Sequence, residues 1–285
     1  MQTPMEHPAE PSFADRARGL FVTSHPWPSL AISVLVAVVA AQAAPHGFGP
    51  VLAGPAMLAG QLSIGWCNDA CDALGDAAAG RTDKPVVTGA VSVRTVWIAA
   101  YASLVAALAM AAAISVPTVI LLAVIIGAAW AYNLGLKSSP ASGLAYVLGF
   151  GPLPAYAFST LPGHPVPAWS VTAAAALVGL GGHFADVLPD LAADRAAGVG
   201  GLPQRVAARW GAGAVRTCAL TLLLSASVLL VVASSRLWVG VGGLAAAVVL
   251  AVIGARGEGR VPFAAAFGIA AVDVVVLAAG GLVPT

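Results

Sequence analysis

The sequence predicts an all-α membrane protein with nine transmembrane helices and a cytosolic N-terminus. Of 285 residues, 59% are hydrophobic and only 9% are charged, whereas about a quarter of an average soluble domain is charged. Apolar runs close to the roughly 20 residues needed to cross a bilayer recur along the whole chain. We therefore expect one transmembrane domain, residues 28–285, after a polar N-terminal segment, residues 1–27.

Breaks at Pro, Gly or charged residues divide the apolar sequence into nine candidate helices. In chain order they are 28–44, 49–67, 92–114, 117–134, 142–160, 168–186, 214–233, 237–254 and 262–281. The first run ends in small residues, as a signal peptide does, but a long polar segment precedes it. We therefore interpret it as a first transmembrane helix.

The distribution of basic residues determines the predicted orientation. Under the positive-inside rule, short cytosolic loops collect Lys and Arg. With the N-terminus inside, every Lys and Arg except Arg236 falls in a cytosolic segment. We expect a multi-pass protein of the cell membrane, with the ends of the second and sixth helices on its cytosolic face.

The charge and the cysteines exclude several classes of protein. A formal net charge of +1 leaves no excess of Lys and Arg for a phosphate backbone, so we expect the lipid bilayer and no nucleic acid as a partner. Cys67, Cys71 and Cys218 do not make an even disulfide framework or a zinc site. We interpret them as small packing residues. Nothing in these patterns bears on the oligomeric state.

Acidic residues are concentrated at the two helix ends on the predicted cytosolic face. The two clusters consist of Asn68, Asp72 and Asp76, and of Asp186, Asp190 and Asp194. A spacing of four residues places each set on one face of a helix, where like charges repel. With Asp69 and Asp83, the clusters hold seven of the chain's twelve acidic residues. This concentration favours a bound cation over the alternative, a solvated acidic face.

The type of ligand indicates which cation these clusters hold. Carboxylate and amide oxygens suit magnesium, manganese or calcium, and magnesium is the default expectation. Magnesium binds through one or two carboxylates and completes its shell with water and substrate phosphates. Two facing rows of Asp therefore predict a diphosphate held between them, with all six cluster residues as candidate metal ligands and Asn68 also near the diphosphate.

Basic residues beside the clusters are candidates for neutralising a diphosphate. Arg81 and Lys84 follow the first cluster, and Arg195 and Arg205 follow the second. Lys137 ends the fourth predicted helix, five residues after Tyr132, on the same side of the membrane. Each of these cations has an alternative role as a positive-inside anchor.

At these residues the chain resembles the UbiA-type membrane prenyltransferase superfamily. Two consecutive stretches of the chain resemble the first signature: Asn68-Asp-Ala-Cys-Asp72-Ala-Leu-Gly-Asp76 and, after it, Arg81-Thr-Asp-Lys-Pro-Val-Val-Thr-Gly89. One stretch resembles the second signature: Asp186-Val-Leu-Pro-Asp190-Leu-Ala-Ala-Asp194-Arg-Ala-Ala-Gly198. Tyr132 and Lys137 match the Tyr and Lys found between the two signatures, so the resemblance spans the whole chain in motif order.

The resemblance implies a central cavity that opens sideways toward lipid, with magnesium bridging the two Asp motifs to an isoprenyl diphosphate. Tyr132, Lys137 and His183 are then candidate catalytic residues. As diphosphate leaves, preplaced cations are expected to stabilise the charge on its oxygens. An aromatic wall is expected to stabilise the allylic cation that remains. Candidates for that wall, with plain packing as the alternative, are Trp66, Trp130, Phe150, Tyr156 and Phe158.

Three features leave alternatives open. His183, one turn before Asp186, is a base, orients an acceptor, or is simply hydrogen-bonded. Asp273 lies inside the ninth predicted helix, where an acid is functional or makes a buried structural hydrogen bond. Relatives with aromatic acceptors carry a Lys and a Thr after the second motif, and both are missing from the run Gly198–Pro203.

The leading functional hypothesis is therefore transfer of a prenyl group to an aromatic or lipophilic acceptor. The missing Lys and Thr keep a second hypothesis open, a membrane terpene cyclase in which the substrate's own double bonds capture the cation. An ion or phosphate transporter is a third hypothesis. It is disfavoured because the acids lie at one membrane face.

Overall fold

The computed structural model describes residues 12–43, 47–196 and 198–281, which form helices and turns without a β-strand among them. The helices, in chain order, are α1 (Phe13–Thr23), α2 (Pro26–Ala43), α3 (Phe48–Ala78), α4 (Pro85–Thr88), α5 (Val93–Ala112), α6 (Val116–Asn133), α7 (Ser142–Phe150), α8 (Leu153–Ser159), α9 (Trp169–Val187), α10 (Leu191–Ala196), α11 (Leu202–Trp210), α12 (Ala212–Ala233), α13 (Leu237–Arg256) and α14 (Val261–Ala279). The prediction of an all-α protein is confirmed.

Six helices in the described part of the chain are long and apolar enough to cross a membrane: α5, α6, α9, α12, α13 and α14. The pair α1 and α2, bent by 56°, meets the same criteria as one span and raises the number to seven. Each of the nine predicted segments coincides with helix in the structure. The count of nine spans and the cytosolic N-terminus stay predictions.

The segment before the first predicted span contains a helix that the composition does not reveal. At the start of α1, Ser12 Oγ accepts a hydrogen bond from the Asp15 N–H, and the Asp15 carboxylate accepts one from the Ser12 N–H. This reciprocal cap is a known helix start, and the Ser-x-x-Asp pattern was its signal. Residues 1–11, in the predicted N-terminal segment, and 44–46, which include the last residue of the first predicted span, lie outside the described residues.

The second predicted helix, 49–67, is too short in the prediction. Helix α3 continues through the first acidic cluster to Ala78, which gives 31 residues. At 1.5 Å per residue it is about 46 Å long. It continues because Ala, Cys and Leu alternate with the acids, and it ends just before Gly80, which has a positive φ of 68°. The acidic side chains thus stand on a continuous helix.

The fifth predicted helix, 142–160, is broken into α7 and α8. The break falls at Gly151 and Pro152, because proline has no N–H to donate to the preceding turn. The new helix starts there, with the Tyr156 N–H donating to the Pro152 carbonyl at 2.8 Å. The short helix α7 therefore ends at Phe150. The Phe150 side chain is partly buried.

The two largest apolar cores pack the helices together into a bundle. The N-terminal core contains Met57, Leu122 and Tyr156 among its fully buried residues. The C-terminal core contains Leu223 and Ile269. Helix α9 packs against α7 on one side and α12 on the other, and α14 contacts α2. The first and last spans therefore meet, and the helices surround the space between the two cores.

Candidate functional site

A cavity of about 320 Å³ lies among α2, α3, α6 and α7. This volume falls in the usual range for small-molecule sites. Two of the predicted site residues, Asn68 and Tyr132, line the cavity, and Tyr146, Phe150 and His25 lie in the same wall. The cavity thus begins at the first acidic cluster and continues between apolar helices.

The acidic row on α3 is paired with cations from other parts of the chain. Asp72 contacts the Lys137 ammonium group, which stands on a short 3-10 turn after α6. Asp76 lies 3.9 Å from the Arg81 guanidinium. The other carboxylate oxygen of Asp76, Oδ2, is buried and has no hydrogen-bond partner among the described residues. These contacts relieve the repulsion along the row.

Lys84, a predicted diphosphate ligand, is directed elsewhere. Its ammonium group donates to Asp69 Oδ1 at 2.8 Å, and His25 Nε2 lies 2.9 Å from the same oxygen. Asp69 is only 1% exposed. The pairing joins the bend between α1 and α2 to α3 and to the start of α4. Sequence reasoning missed His25 because it is separated from Asp69 by 44 residues.

Arg81 stands between the two acidic clusters. Its guanidinium makes two bonds of 3.0 Å to the Asp83 carboxylate. These bonds raise the pKa of Arg81 and lower the pKa of Asp83. Asp76 and Asp190 also act electrostatically on Arg81. One residue of each predicted cluster is thus close enough to the same guanidinium to attract it.

The second cluster lies on the end of α9 and on α10. Asp186 and Asp190 are exposed, and Asp194 accepts a hydrogen bond of 2.7 Å from Gln204 Nε2. The Tyr132 phenol is within electrostatic reach of Asp72, Asp186 and Asp194. The structure therefore brings residues of both predicted clusters close to the same tyrosine.

Arg195 and Arg205, the predicted cations of the second cluster, line a different recess of about 650 Å³ between α10 and α12. The Arg205 Nε–H donates to the Gly200 carbonyl at 2.7 Å. Among the described residues, none lines both this recess and the cavity. These two arginines are neighbours of the cavity and do not form its wall.

Aromatic rings form one side of the cavity. Tyr146 and Phe150 are stacked one turn apart on α7, with ring centroids 6.2 Å apart. Tyr132 meets Tyr146 edge-on at 5.2 Å. Of the aromatic residues predicted for the wall, Phe150 lines the cavity. Tyr146 was missed, although its spacing of four residues from Phe150 was visible in the sequence.

The remaining predicted aromatic residues are used in packing. Tyr156 and Phe158 are buried in the N-terminal core, and Tyr156 donates to the Ala53 carbonyl. The indole groups of Trp66 and Trp130 donate to the Leu20 carbonyl and to Ser63 Oγ, respectively. The packing alternative is the correct one for these four residues.

His183 supports the aromatic wall from behind. It is 1% exposed, and its ring stacks on Tyr146 with centroids 4.3 Å apart. Its Nε2 lies 2.9 Å from Ser142 Oγ, which also accepts a hydrogen bond from the Leu202 N–H. The hydroxyl proton of Ser142 is therefore free to point at His183. Of the three predicted roles, the hydrogen-bonded one matches this position.

The donor set beside the cavity suits a magnesium ion. It consists of carboxylate and amide oxygens, which magnesium prefers over nitrogen or sulfur. In the described parts of the chain, no three His, Cys, Asp or Glu side chains converge on one point. A magnesium ion that takes one or two carboxylates and fills its shell with water and phosphate oxygens does not need three. The partnerless Oδ2 of Asp76 is available for such a ligand.

Comparisons with known proteins agree on the fold. The model of the UbiA prenyltransferase family matches residues 29–281. A UbiA homolog from Archaeoglobus fulgidus bound to GPP and Mg2+ is 17% identical, with a TM-score of 0.72 over 91% of this chain and 98% of that one. The apo form of a UbiA homolog from Aeropyrum pernix K1 is 19% identical, with a TM-score of 0.66 over 88% of this chain and 98% of that one.

A third solved structure, described as digeranylgeranylglyceryl phosphate synthase in membranes, is 12% identical. Its TM-score is 0.71, over 93% of this chain and 98% of that one. No curated protein matches the sequence. At these identities the structural likeness shows the arrangement of helices and nothing finer.

Proposed function

Because the chain belongs to the UbiA prenyltransferase family, we propose that it transfers an isoprenyl group from a prenyl diphosphate to an aromatic or otherwise lipophilic acceptor, with magnesium and with release of diphosphate. The observation that carries this proposal is the meeting of Asp72, Lys137 and the second acidic cluster around Tyr132. The Archaeoglobus homolog has been solved with GPP and Mg2+ and with DMAPP and Mg2+, which supports a prenyl diphosphate as the donor.

In this proposal the two acidic clusters hold the metal and, through it, the diphosphate. The proposed ligands are Asn68, Asp72, Asp76, Asp186, Asp190 and Asp194. Bound magnesium neutralises charge on the leaving diphosphate oxygens. Asn68 offers its side-chain amide from the cavity wall, where it is placed to donate to a phosphate oxygen.

The proposed cations assist the departure of diphosphate to different extents. The Lys137 ammonium group is partly exposed and lies beside Asp72, where it is placed to stabilise the charge that develops on the leaving group. Arg81 stands between the clusters and is placed for the same task. Arg195 and Arg205 attract the anion from the neighbouring recess at longer range. Lys84 has no part in this step because it is paired with Asp69.

The aromatic wall protects the cation that remains in the cavity. Tyr132, Tyr146 and Phe150 present ring faces and edges to the cavity, and such rings stabilise a cation by about 1–2 kcal/mol where water is excluded. The apolar walls from α2 and α6 limit attack by water. His183 is a positioning residue, which fixes the ring of Tyr146 by stacking. We place this site on the cytosolic face of the cell membrane.

A membrane terpene cyclase is the second candidate, and one observation favours it. The loop after the second cluster, Gly198–Pro203, offers glycines and apolar residues where relatives with aromatic acceptors carry Lys and Thr. With fewer polar contacts for an acceptor, capture of the cation by the donor's own double bonds becomes the simpler outcome. Both functions use the same ionisation step and the same metal ligands.

Incubation of the purified protein with geranyl or farnesyl diphosphate and magnesium, without acceptor, tests the proposal. A transferase leaves the donor intact until a mixture of phenolic acids and membrane lipids is added, and then releases diphosphate together with a prenylated product. A cyclic hydrocarbon formed from the donor alone establishes the cyclase. If the donor and magnesium neither raise the melting temperature nor release diphosphate under any of these conditions, both candidates are wrong.

A further inference from the structure

A second, smaller chamber lies deeper in the bundle, behind Phe150. Its volume is about 150 Å³, and α2, α8, α9, α12 and α14 form its walls. Ile32 and Phe150 belong to the walls of both this chamber and the larger cavity. The two spaces are therefore neighbours, with the Phe150 ring between them.

The chamber has one polar side chain, Asp273, among apolar lining residues. Asp273 is 2% exposed, and its Oδ1 accepts a hydrogen bond of 2.6 Å from Ser227 Oγ. Its Oδ2 is buried and has no hydrogen-bond partner in the described parts of the chain. A buried polar atom without a partner destabilises a protein and calls for an explanation. The packing of α12 against α14 needs only the Oδ1 bond.

The depth of the chamber determines which part of a substrate can reach it. Val178 lines the chamber and lies eight residues before Asp186 on α9, a distance of about 12 Å along the helix axis. A diphosphate held by the acidic clusters cannot extend that far. Of a prenyl diphosphate, only the far end of the lipophilic chain can reach the chamber, through the larger cavity and past the Phe150 ring.

The size and the chemistry of the chamber define the group that fits. An apolar cavity of about 150 Å³ accommodates a benzene-sized molecule, which is close in size to the last five-carbon unit of a prenyl chain. The partnerless carboxyl oxygen adds one hydrogen-bonding position to this apolar space. A hydroxyl group satisfies it in either protonation state, because a hydroxyl both donates and accepts.

We propose that this chamber binds the far end of the substrate's prenyl chain and that Asp273 selects a chain end that carries a hydroxyl group. The proposal rests on the proposed function for the identity of the chain. It explains why a carboxyl is kept in an apolar span, where such groups are costly, and why only one of its oxygens is used by the protein.

The test compares geranyl diphosphate with its analogue that carries a hydroxyl on the terminal methyl group. Both donors are given, with magnesium and, for a transferase, an acceptor that the wild-type protein prenylates, to the wild-type protein, to Asp273→Leu and to Val178→Phe, and kcat/KM is measured for each from diphosphate release. We expect the wild-type protein to prefer the hydroxylated donor by about tenfold, as one buried hydrogen bond allows. Asp273→Leu should reverse the preference, since its side chain leaves the hydroxyl without a partner.

Val178→Phe and one further variant, Ser227→Ala, separate recognition from packing. Val178→Phe fills the chamber while Asp273 stays in place, and it should abolish the preference; it decides the matter if Asp273→Leu does not fold. Ser227→Ala removes the helix-to-helix bond and should lower the melting temperature while it keeps the preference. Equal donor ratios in the wild-type protein and in the folded chamber variants overturn the inference. If no donor is consumed by the wild-type protein, the proposed function fails instead.

Discussion

Near the end of α3, Asp69 and Asp72 pair with side chains from distant parts of the chain, whereas Asp76 lies beside Arg81, a close neighbour in sequence. The four-residue spacing of the acidic row on α3 was enough to predict one acidic face, because helix periodicity is a local property. The partners of the carboxylates were not predictable in the same way. His25 reaches Asp69 and Lys137 reaches Asp72 through the packing of separate helices. Nothing in the sequence around either residue indicates that contact.

Removing one carboxylate from either cluster should slow the reaction. Asp72→Asn or Asp190→Asn keeps the size of the side chain but weakens the hold on the metal, so we expect turnover to fall by about a hundredfold or more. Diphosphate release from geranyl or farnesyl diphosphate measures this. Glu258→Gln, an exposed acid in the loop before α14, is the matched control and should be as active as wild type. Unchanged rates in both Asp variants would refute the assignment.

Lys84 and Lys137 should behave differently although both were predicted to bind diphosphate. Lys84→Met leaves the buried Asp69 with His25 alone, and we expect a loss of stability of about 3 kcal/mol, as for a broken buried ion pair. The KM for the donor should stay close to the wild-type value. Lys137→Met should show the opposite pattern, a near-normal melting temperature and a reduced kcat. Thermal unfolding and steady-state kinetics on the two variants test this prediction. A raised KM with unchanged stability in Lys84→Met would contradict a structural role for Lys84.

At the scale of the helices, the existence of each apolar element was predictable and its ends were not. Runs of apolar residues located helix in all nine predicted segments, since burial in lipid requires them. The ends were wrong where polar residues continue a helix, as in α3, or where proline interrupts an apolar run, as at Pro152. The bend between α1 and α2 was missed because it depends on a contact with α3.

That contact leads to a prediction about Gly65. A Cβ atom at this position would lie 2.3 Å from the Ser24 carbonyl oxygen, in the bend that carries His25. Gly65→Ala must therefore push the bend away from α3, at a cost of about 1–3 kcal/mol. We expect a lower melting temperature and reduced activity. Gly127→Ala on α6 is the control, because a Cβ there meets nothing within 4 Å; equal effects of the two substitutions would speak against the close contact.

At the scale of the whole molecule, no local pattern in the sequence predicts the order of the helices around the bundle. Apolar runs are alike on all sides, so they do not tell which helices become neighbours. The sequence predicted the two acidic clusters on one membrane face because four predicted helices, an even number, separate them. The closure of α14 against α2 and the second chamber were not predictable, since both depend on side-chain packing.

The predicted orientation in the membrane can be measured by cysteine labelling. Leu74 beside the acidic row is 87% exposed and Trp238 at the start of α13 is 77% exposed. In a background with Cys67, Cys71 and Cys218 replaced by Ala, a reagent that cannot cross the membrane should label Leu74→Cys only in inside-out vesicles. It should label Trp238→Cys only in right-side-out vesicles. The reverse pattern would place the site on the outer face.

The length of α3 has a consequence for how a substrate is taken up. A helix of about 46 Å exceeds the roughly 30 Å of hydrocarbon in a bilayer, so we expect its acidic last turns to extend into the aqueous layer and its first turns to lie among acyl chains. An amphiphile lying in the leaflet has its anionic headgroup at the depth of these acidic turns and its tail at the depth of the apolar turns. If the cavity opens toward lipid, as the sequence predicts, we expect such a substrate to enter from the leaflet without its tail passing through water.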